Sequence, residues 1–182
     1  MDSQIEVAYK IINHTDRVWS VDFSVKDDLL SSGSGDKTAT IWKEKEKIAS
    51  FTENRTVRRV KFSPDGQQLA ACSFNGSVHI YKLEDGIFEE YSELEGHESE
   101  VKSITWSADG SLLATCGRDK SVWIWECWED GDYECAAVLT SHSADVKGEI
   151  LVLLIILRIF TEFVKTLLST RLTIFWSLVP MI

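Results

Sequence analysis

The 182-residue chain predicts an all-β protein of repeated short antiparallel strands, and three observations carry that expectation. Val18-Trp-Ser-Val-Asp-Phe23, Val57-Arg-Arg-Val-Lys-Phe62 and Val101-Lys-Ser-Ile-Thr-Trp106 share the pattern V-x-x-[VI]-x-aromatic, with their valines 39 and then 44 residues apart. Each aromatic is followed thirteen residues later by Asp36, Asn75 or Asp119, and six residues after that by Trp42, Tyr81 or Trp125. Turn residues fall between these landmarks, and prolines number only 2. Offsets kept three times over mark internal repeats, each a supersecondary unit that stacks on its neighbours to bury a core.

The elements follow in order. Ile5–Ile11 alternates like a strand. Val18–Ser24 also alternates, which places Val18, Ser20 and Asp22 on one face and Trp19, Val21 and Phe23 on the other. Ser63-Pro-Asp-Gly66 and Ser107-Ala-Asp-Gly110 supply the Asp and Gly that tight turns demand. Leu69–Ser73 and Leu112–Cys116 are second strands, and Asn75-Gly76 and Asp119-Lys120 turn into third strands at Val78–Tyr81 and Val122–Trp125. Short strands with turns every 8–12 residues form an antiparallel meander. The repeats run over about 11–45, 50–83 and 94–127, and a fourth valine, Val146, opens another at 139–147.

A seam divides the chain into 1–147 and 148–182. In the last 35 residues 22 are apolar and the net charge is +1, so the first 147 carry about −11 of the total −10. The apolar tail reads as a helix with Arg158, Glu162 and Lys165 on one side. Its longest uncharged runs, of eight and eleven residues, are short of the roughly 20 that a membrane span needs, so a membrane tether is a lesser alternative. The N-terminus lacks a basic and an apolar secretory region. Net acidity argues against binding nucleic acid by phosphate neutralisation. Cys72, Cys116, Cys127 and Cys135 show no C-x-x-C spacing and read as small hydrophobes in a reducing compartment, with no metal site expected. A Cys127–Cys135 bridge is the alternative.

The period and landmarks resemble the WD40 repeat, the blade of a β-propeller. In such blades a His before the first strand, a Ser or Thr in the second, an Asp in the turn and a Trp in the third form a hydrogen-bond chain. The matching residues are His14, Ser32, Asp36 and Trp42 in the first unit, and His97, Thr115, Asp119 and Trp125 in the third. The Asp would fix its turn and the His tautomer, and the Trp N–H would donate to the hydroxyl. The second unit has Glu53, Ala71, Asn75 and Tyr81 instead, so it should rely on apolar packing alone and be the softest of the three. Ser, His and Asp also invite a hydrolase reading. Their recurrence at fixed offsets, with a Trp where an oxyanion site would lie, favours a structural role, and no catalytic residue or enzyme activity is expected. Core packing is expected for both Trp123 and Trp125.

A longer stretch is more specific. Leu94-Glu-Gly-His-Glu-Ser-Glu-Val-Lys102, Leu113-Ala-Thr-Cys-Gly-Arg-Asp-Lys-Ser-Val-Trp-Ile-Trp-Glu126, Tyr133-Glu-Cys135 and His142-Ser-Ala-Asp-Val-Lys147 resemble the seven-bladed WD40 subunit of the cytosolic iron–sulfur protein assembly targeting complex. The resemblance implies a non-enzymatic scaffold without a cofactor of its own. Its implied partners are a small acidic subunit, a HEAT-repeat adaptor and cytosolic and nuclear apo-proteins that receive clusters. It places an exposed interaction arginine at Arg118. An arginine at a propeller face is a common anchor, though it can equally be a solvated turn residue. The acidic segments Lys82–Glu100 and Glu126–Glu134 read as solvated loops, or as contacts for a basic partner. Against the family pattern, Gly148-Glu-Ile-Leu-Val-Leu-Leu-Ile-Ile-Leu157 brings neither the next aromatic nor a turn. The expectation is therefore a propeller fragment of about three blades out of seven, with an unrelated apolar tail. A different WD40 adaptor, such as a ubiquitin-ligase substrate receptor, is the other reading in the interaction class.

Overall fold

The computed structural model describes residues 10–24, 26–128 and 131–147. The strand expected at Ile5–Ile11, apart from Lys10 and Ile11, and the helix expected in 148–182 lie outside them.

Twelve strands make three antiparallel four-stranded sheets, each in sequential order. Sheet 1 holds β1 (Val18–Ser24), β2 (Leu29–Ser34), β3 (Thr38–Lys43) and β4 (Glu46–Thr52). Sheet 2 holds β5 (Val57–Phe62), β6 (Gln68–Ser73), β7 (Val78–Glu84) and β8 (Ile87–Leu94). Sheet 3 holds β9 (Val101–Trp106), β10 (Leu112–Gly117), β11 (Val122–Cys127) and β12 (Tyr133–Leu139). Among the described residues there is no helix. The fourth strand of each sheet left little trace in the sequence. β4 and β12 are mostly exposed, and β8 buries only Phe88 and Leu94 fully, so no apolar stripe marks them.

Turn chemistry sets the register. The Gly66 and Gly110 amides donate to the Ser63 and Ser107 carbonyls at 2.9 and 3.0 Å, and both glycines sit in the left-handed region with φ of 79° and 78°. The Asp65 and Asp109 carboxylates accept from the serine hydroxyls and from the amides of Gln67 and Ser111. At the next turn, Gly76 has φ 99°, but Lys37 and Lys120 stand at the matching places with φ 73° and 67°. A side chain is strained there. Lys120→Gly should raise stability by about 0.5–1 kcal/mol, read as a higher urea midpoint at unchanged slope.

Sheets stack by alternation along the middle strands. Leu69, Ala71 and Tyr81 point to sheet 1 and form a core with Leu29, Ala39, Ile41, Val57, Val60 and Phe62. Ala70, Cys72, Val78 and Ile80 point the other way and pack on Val101, Ile104, Trp106, Leu113 and Trp125 of sheet 3. A third cluster covers the far face of sheet 3, where Val146 joins Ala114, Cys116, Val122 and Ile124. The Cys116 thiol donates to the Val146 carbonyl at 3.6 Å, just as the Cys72 thiol does to that of Val101.

The faces expected for β1 are corrected by a bulge. Val18 pairs with Ser34 and Ser20 with Gly33, so Trp19 is left out of the ladder and the alternation shifts by one. Val18 then lines the same groove as Val21. Ser20 and Asp22 face sheet 2, where Ser20 bonds Val60 and Asp22 accepts from the Phe62 amide at 2.8 Å and Lys61 Nζ at 2.6 Å. The apolar face points outward. Val21 and Phe23 are 63% and 53% exposed, whereas the repeat-matched Val60 and Phe62 are 1% and 5% exposed beneath sheet 1.

Candidate docking face

Two polar chains tie each inner strand to the turn beyond it in sheets 1 and 3. His14 Nε2 lies 2.7 Å from Ser32 Oγ, which also accepts from Trp42 Nε1 at 2.8 Å. His14 Nδ1 lies 2.9 Å from Asp36 Oδ2. In sheet 3, His97 Nε2 lies 2.8 Å from Thr115 Oγ1, which accepts from Trp125 Nε1 at 3.0 Å, while His97 Nδ1 lies 2.7 Å from Asp119. Burial opposes ionisation of both aspartates. The hydrogen bonds from Thr38, the Thr15 amide and His14 outweigh it at Asp36, and those from Ser121 and His97 do so at Asp119. Both carboxyls stay below the usual range, and burial also lowers the pKa of His97. With the carboxylate accepting from Nδ1–H, Nε2 takes the hydroxyl proton and the hydroxyl takes the indole N–H. Every position is occupied. Ser32 is 4% and Thr115 0% exposed, and each hydroxyl is engaged by a histidine and an indole.

Sheet 2 corrects the expectation that it relies on apolar packing alone. Tyr81 donates to Glu53 Oε1, and His79 Nε2 lies 2.9 Å from Glu53 Oε2. His79 Nδ1 lies 3.0 Å from Glu90, and Glu93 stands 3.4 Å from Nε2. Ser77 bridges His79 to Asn75, and Phe51 stacks on Tyr81 at 3.8 Å. Burial would lower the pKa of His79, but hydrogen bonds to Glu53 and Glu90 and the charges of Glu53 and Glu93 raise it to about 9. Burial together with the Glu53 carboxylate raises the Tyr81 hydroxyl too. A second chain thus replaces the missing one, with Glu at the His position, Tyr at the Trp position and a histidine two residues before the tyrosine.

Other expected residues take definite places. Arg118 is exposed on the turn before Asp119, its Nη1 2.9 Å from Glu100 Oε1. Ser99, its own amide and Arg118 hold the Glu100 carboxyl at about 2. Trp125 is buried in the core. Trp123 is half-buried, stacked on Trp125 at 5.3 Å and donating to Ser121. All four cysteines are free, and burial pushes the Cys72 and Cys116 thiols up to about 12. Among the described residues no group of His, Cys, Asp or Glu is arranged to hold a metal ion.

The inner-strand bulge recurs in all three sheets. Val57 pairs with Ser73 and Arg59 with Cys72, while Val101 pairs with Gly117 and Ser103 with Cys116. Trp19, Arg58 and Lys102 are therefore displayed at matched places beside the turns that carry Asp36, Asn75 and Asp119. These residues escaped a reading based on strict alternation. Three V-x-x-[VI] segments with two residues between the apolar ones, rather than one, were the available signal.

The model of the WD domain, G-beta repeat matches residues 6–43, 45–82 and 88–126. The chain belongs to the WD40 repeat family. Its three sheets are WD40 blades, and each bulge stands at the same place in its blade. Two curated relatives are similar across the blades. "Probable cytosolic iron-sulfur protein assembly protein 1" of Candida glabrata is 42% identical over 143 residues, or 70% of this chain and 42% of that protein. "Probable cytosolic iron-sulfur protein assembly protein CIAO1 homolog" of Caenorhabditis elegans is 41% identical over 123 residues, or 62% of this chain and 36% of that one. The chain thus spans less than half of either relative. The crystal structure of Saccharomyces cerevisiae Sqt1 matches in fold, with a TM-score of 0.67 at 21% identity over 72% of this chain and 38% of that one.

Proposed function

We propose that this chain is part of a non-enzymatic WD40 scaffold for cytosolic iron–sulfur protein assembly. The identity of 42% over 143 residues to a relative so named carries the reading. The chemistry of the blades supports it, because each Ser or Thr that could resemble a nucleophile is buried and bonded to a Trp. Cluster-receiving apo-proteins of cytosol and nucleus, a small acidic subunit and a HEAT-repeat adaptor are the proposed partners, and the cytoplasm the proposed site of action. No nucleic acid, small-molecule substrate, metal or cofactor is needed. Residues 139–147 open a fourth repeat in this reading, which the packing of Val146 against blade 3 supports. Residues 148–182 then form a separate apolar segment.

Arg118 is the proposed anchor for a partner. It presents a forked donor set at an exposed turn, with Nη1 engaged by Glu100. The test is capture of the two complex subunits by the 182-residue chain. Arg118→Glu should weaken capture of one of them by at least about tenfold, the loss expected of an interface hot spot. Unchanged capture removes Arg118 from the interface. Failure of the wild-type chain to capture either subunit overturns the scaffold reading.

A further inference from the structure

The bulge of blade 1 holds more than a displayed indole. Arg17 Cζ lies 4.8 Å from the centroid of the Trp19 ring, and Arg58 Cζ of blade 2 lies 4.9 Å from it. Two blades thus contribute one cluster. Trp19 is 37% exposed, Arg17 is exposed and Arg58 half-buried. Lys102, at the matched bulge of blade 3, is paired with Asp145 at 2.9 Å, and Arg118 on the turn beside it with Glu100 at 2.9 Å. Neither Arg17 nor Arg58 forms an ion pair among the described residues. The two guanidinium carbons are no more than about 10 Å apart, close enough for like charges to repel. The π face of the indole offsets part of that repulsion, and an anion seated between them would remove the rest.

We propose that Arg17, Trp19 and Arg58 clamp an acidic peptide segment of a partner protein. Its carboxylates meet the two guanidinium forks, and a neighbouring apolar side chain covers the open part of the indole. Guanidinium forks match carboxylates two bonds at a time, and an aromatic beside an arginine is the composition of interface anchors. A nucleic acid fits less well. Its evenly spaced phosphates would run on over the same rim, past Asp16, Glu100 and Asp145, on a chain of net charge −10. A short acidic segment needs to meet only the Arg17 and Arg58 guanidinium groups. The clamp goes beyond the scaffold reading and holds whichever partners that reading names.

The probe is a fluorescein-labelled peptide of alternating glutamate and leucine, titrated with the full 182-residue chain and followed by anisotropy. A glutamine–leucine peptide and an oligothymidine of equal charge are the comparisons. The acidic peptide should bind at least about tenfold more tightly than its glutamine counterpart and weaken as salt rises from about 50 to 300 mM. Arg17→Glu and Arg58→Glu should each cost at least about tenfold, and Trp19→Ala about fivefold. Arg58→Gln, which keeps most of the side-chain stem, should fall between Arg58→Glu and wild type. Lys47→Glu, the same change of charge on β4, should leave binding as it was. A clamp of this kind is overturned if the peptide does not bind. It is equally overturned if the Arg58 variants bind like wild type with an unchanged far-UV spectrum, or if oligothymidine binds as tightly as the peptide.

Discussion

Phe62→Ala is expected to destabilise the chain by about 3–5 kcal/mol, while Phe23→Ala, the same substitution at the matched place one blade earlier, should cost less than about 1 kcal/mol. Burial decides the difference. Phe62 is 5% exposed and wedged among Leu29, Val60, Leu69 and Phe88, so truncation leaves a cavity in a packed core. Phe23 is 53% exposed and loses little on truncation. Urea denaturation followed by far-UV circular dichroism would measure both. Equal losses would mean that the outer face of blade 1 is covered in solution as fully as the inner faces are. The substitution at Phe23 therefore reports directly on whether anything seats on that face.

Blade 2 yields the second large effect. Removing Glu53 takes the shared acceptor away from Tyr81 and leaves the His79 cation with only the more exposed Glu90 and Glu93. Breaking a buried charged network from one side costs about 3–5 kcal/mol, and Glu53→Ala should reach that range. The same network sets a pH dependence. The pKa of His79 is raised to about 9 in the folded chain, above the ordinary value of 6.5. Between these values the folded state holds a proton that the unfolded state has released, so stability falls as pH rises. The contribution of His79 is complete below about pH 6.5 and gone above about pH 9, and is worth on the order of 3 kcal/mol. Urea midpoints of wild type and His79→Gln should differ at pH 6 and converge near pH 9.5. A constant difference across that range would show that folding leaves the His79 pKa where it is in the unfolded chain.

Much of the fold was legible because its landmarks repeat. The aromatic, Asp and Trp offsets specify a blade, and Gly66 and Gly110 mark turns whose backbone only glycine adopts without strain. The outer strands were not legible, because a strand such as Glu46–Thr52, exposed along most of its length, carries no alternating stripe. The chains around His14 and His97 could be written down from their offsets. The one around His79 could not, since its histidine comes from a strand and not from the segment before it. The cluster at Trp19 was hidden for another reason. A strict period of two assigns Trp19 to the same face as Val21 and Phe23, and only the extra residue of the bulge separates them.

That extra residue has a wider consequence. Trp19, Arg58 and Lys102 pair with no residue of the strand beside them, so each can be exchanged without disturbing the register. Three neighbouring blades thus carry a row of side chains whose identity the strand ladders do not constrain. Exchanging Trp19 with Lys102 would move the indole from blade 1 to blade 3 and take the 2.9 Å partner from Asp145, while both strand registers stay as they are.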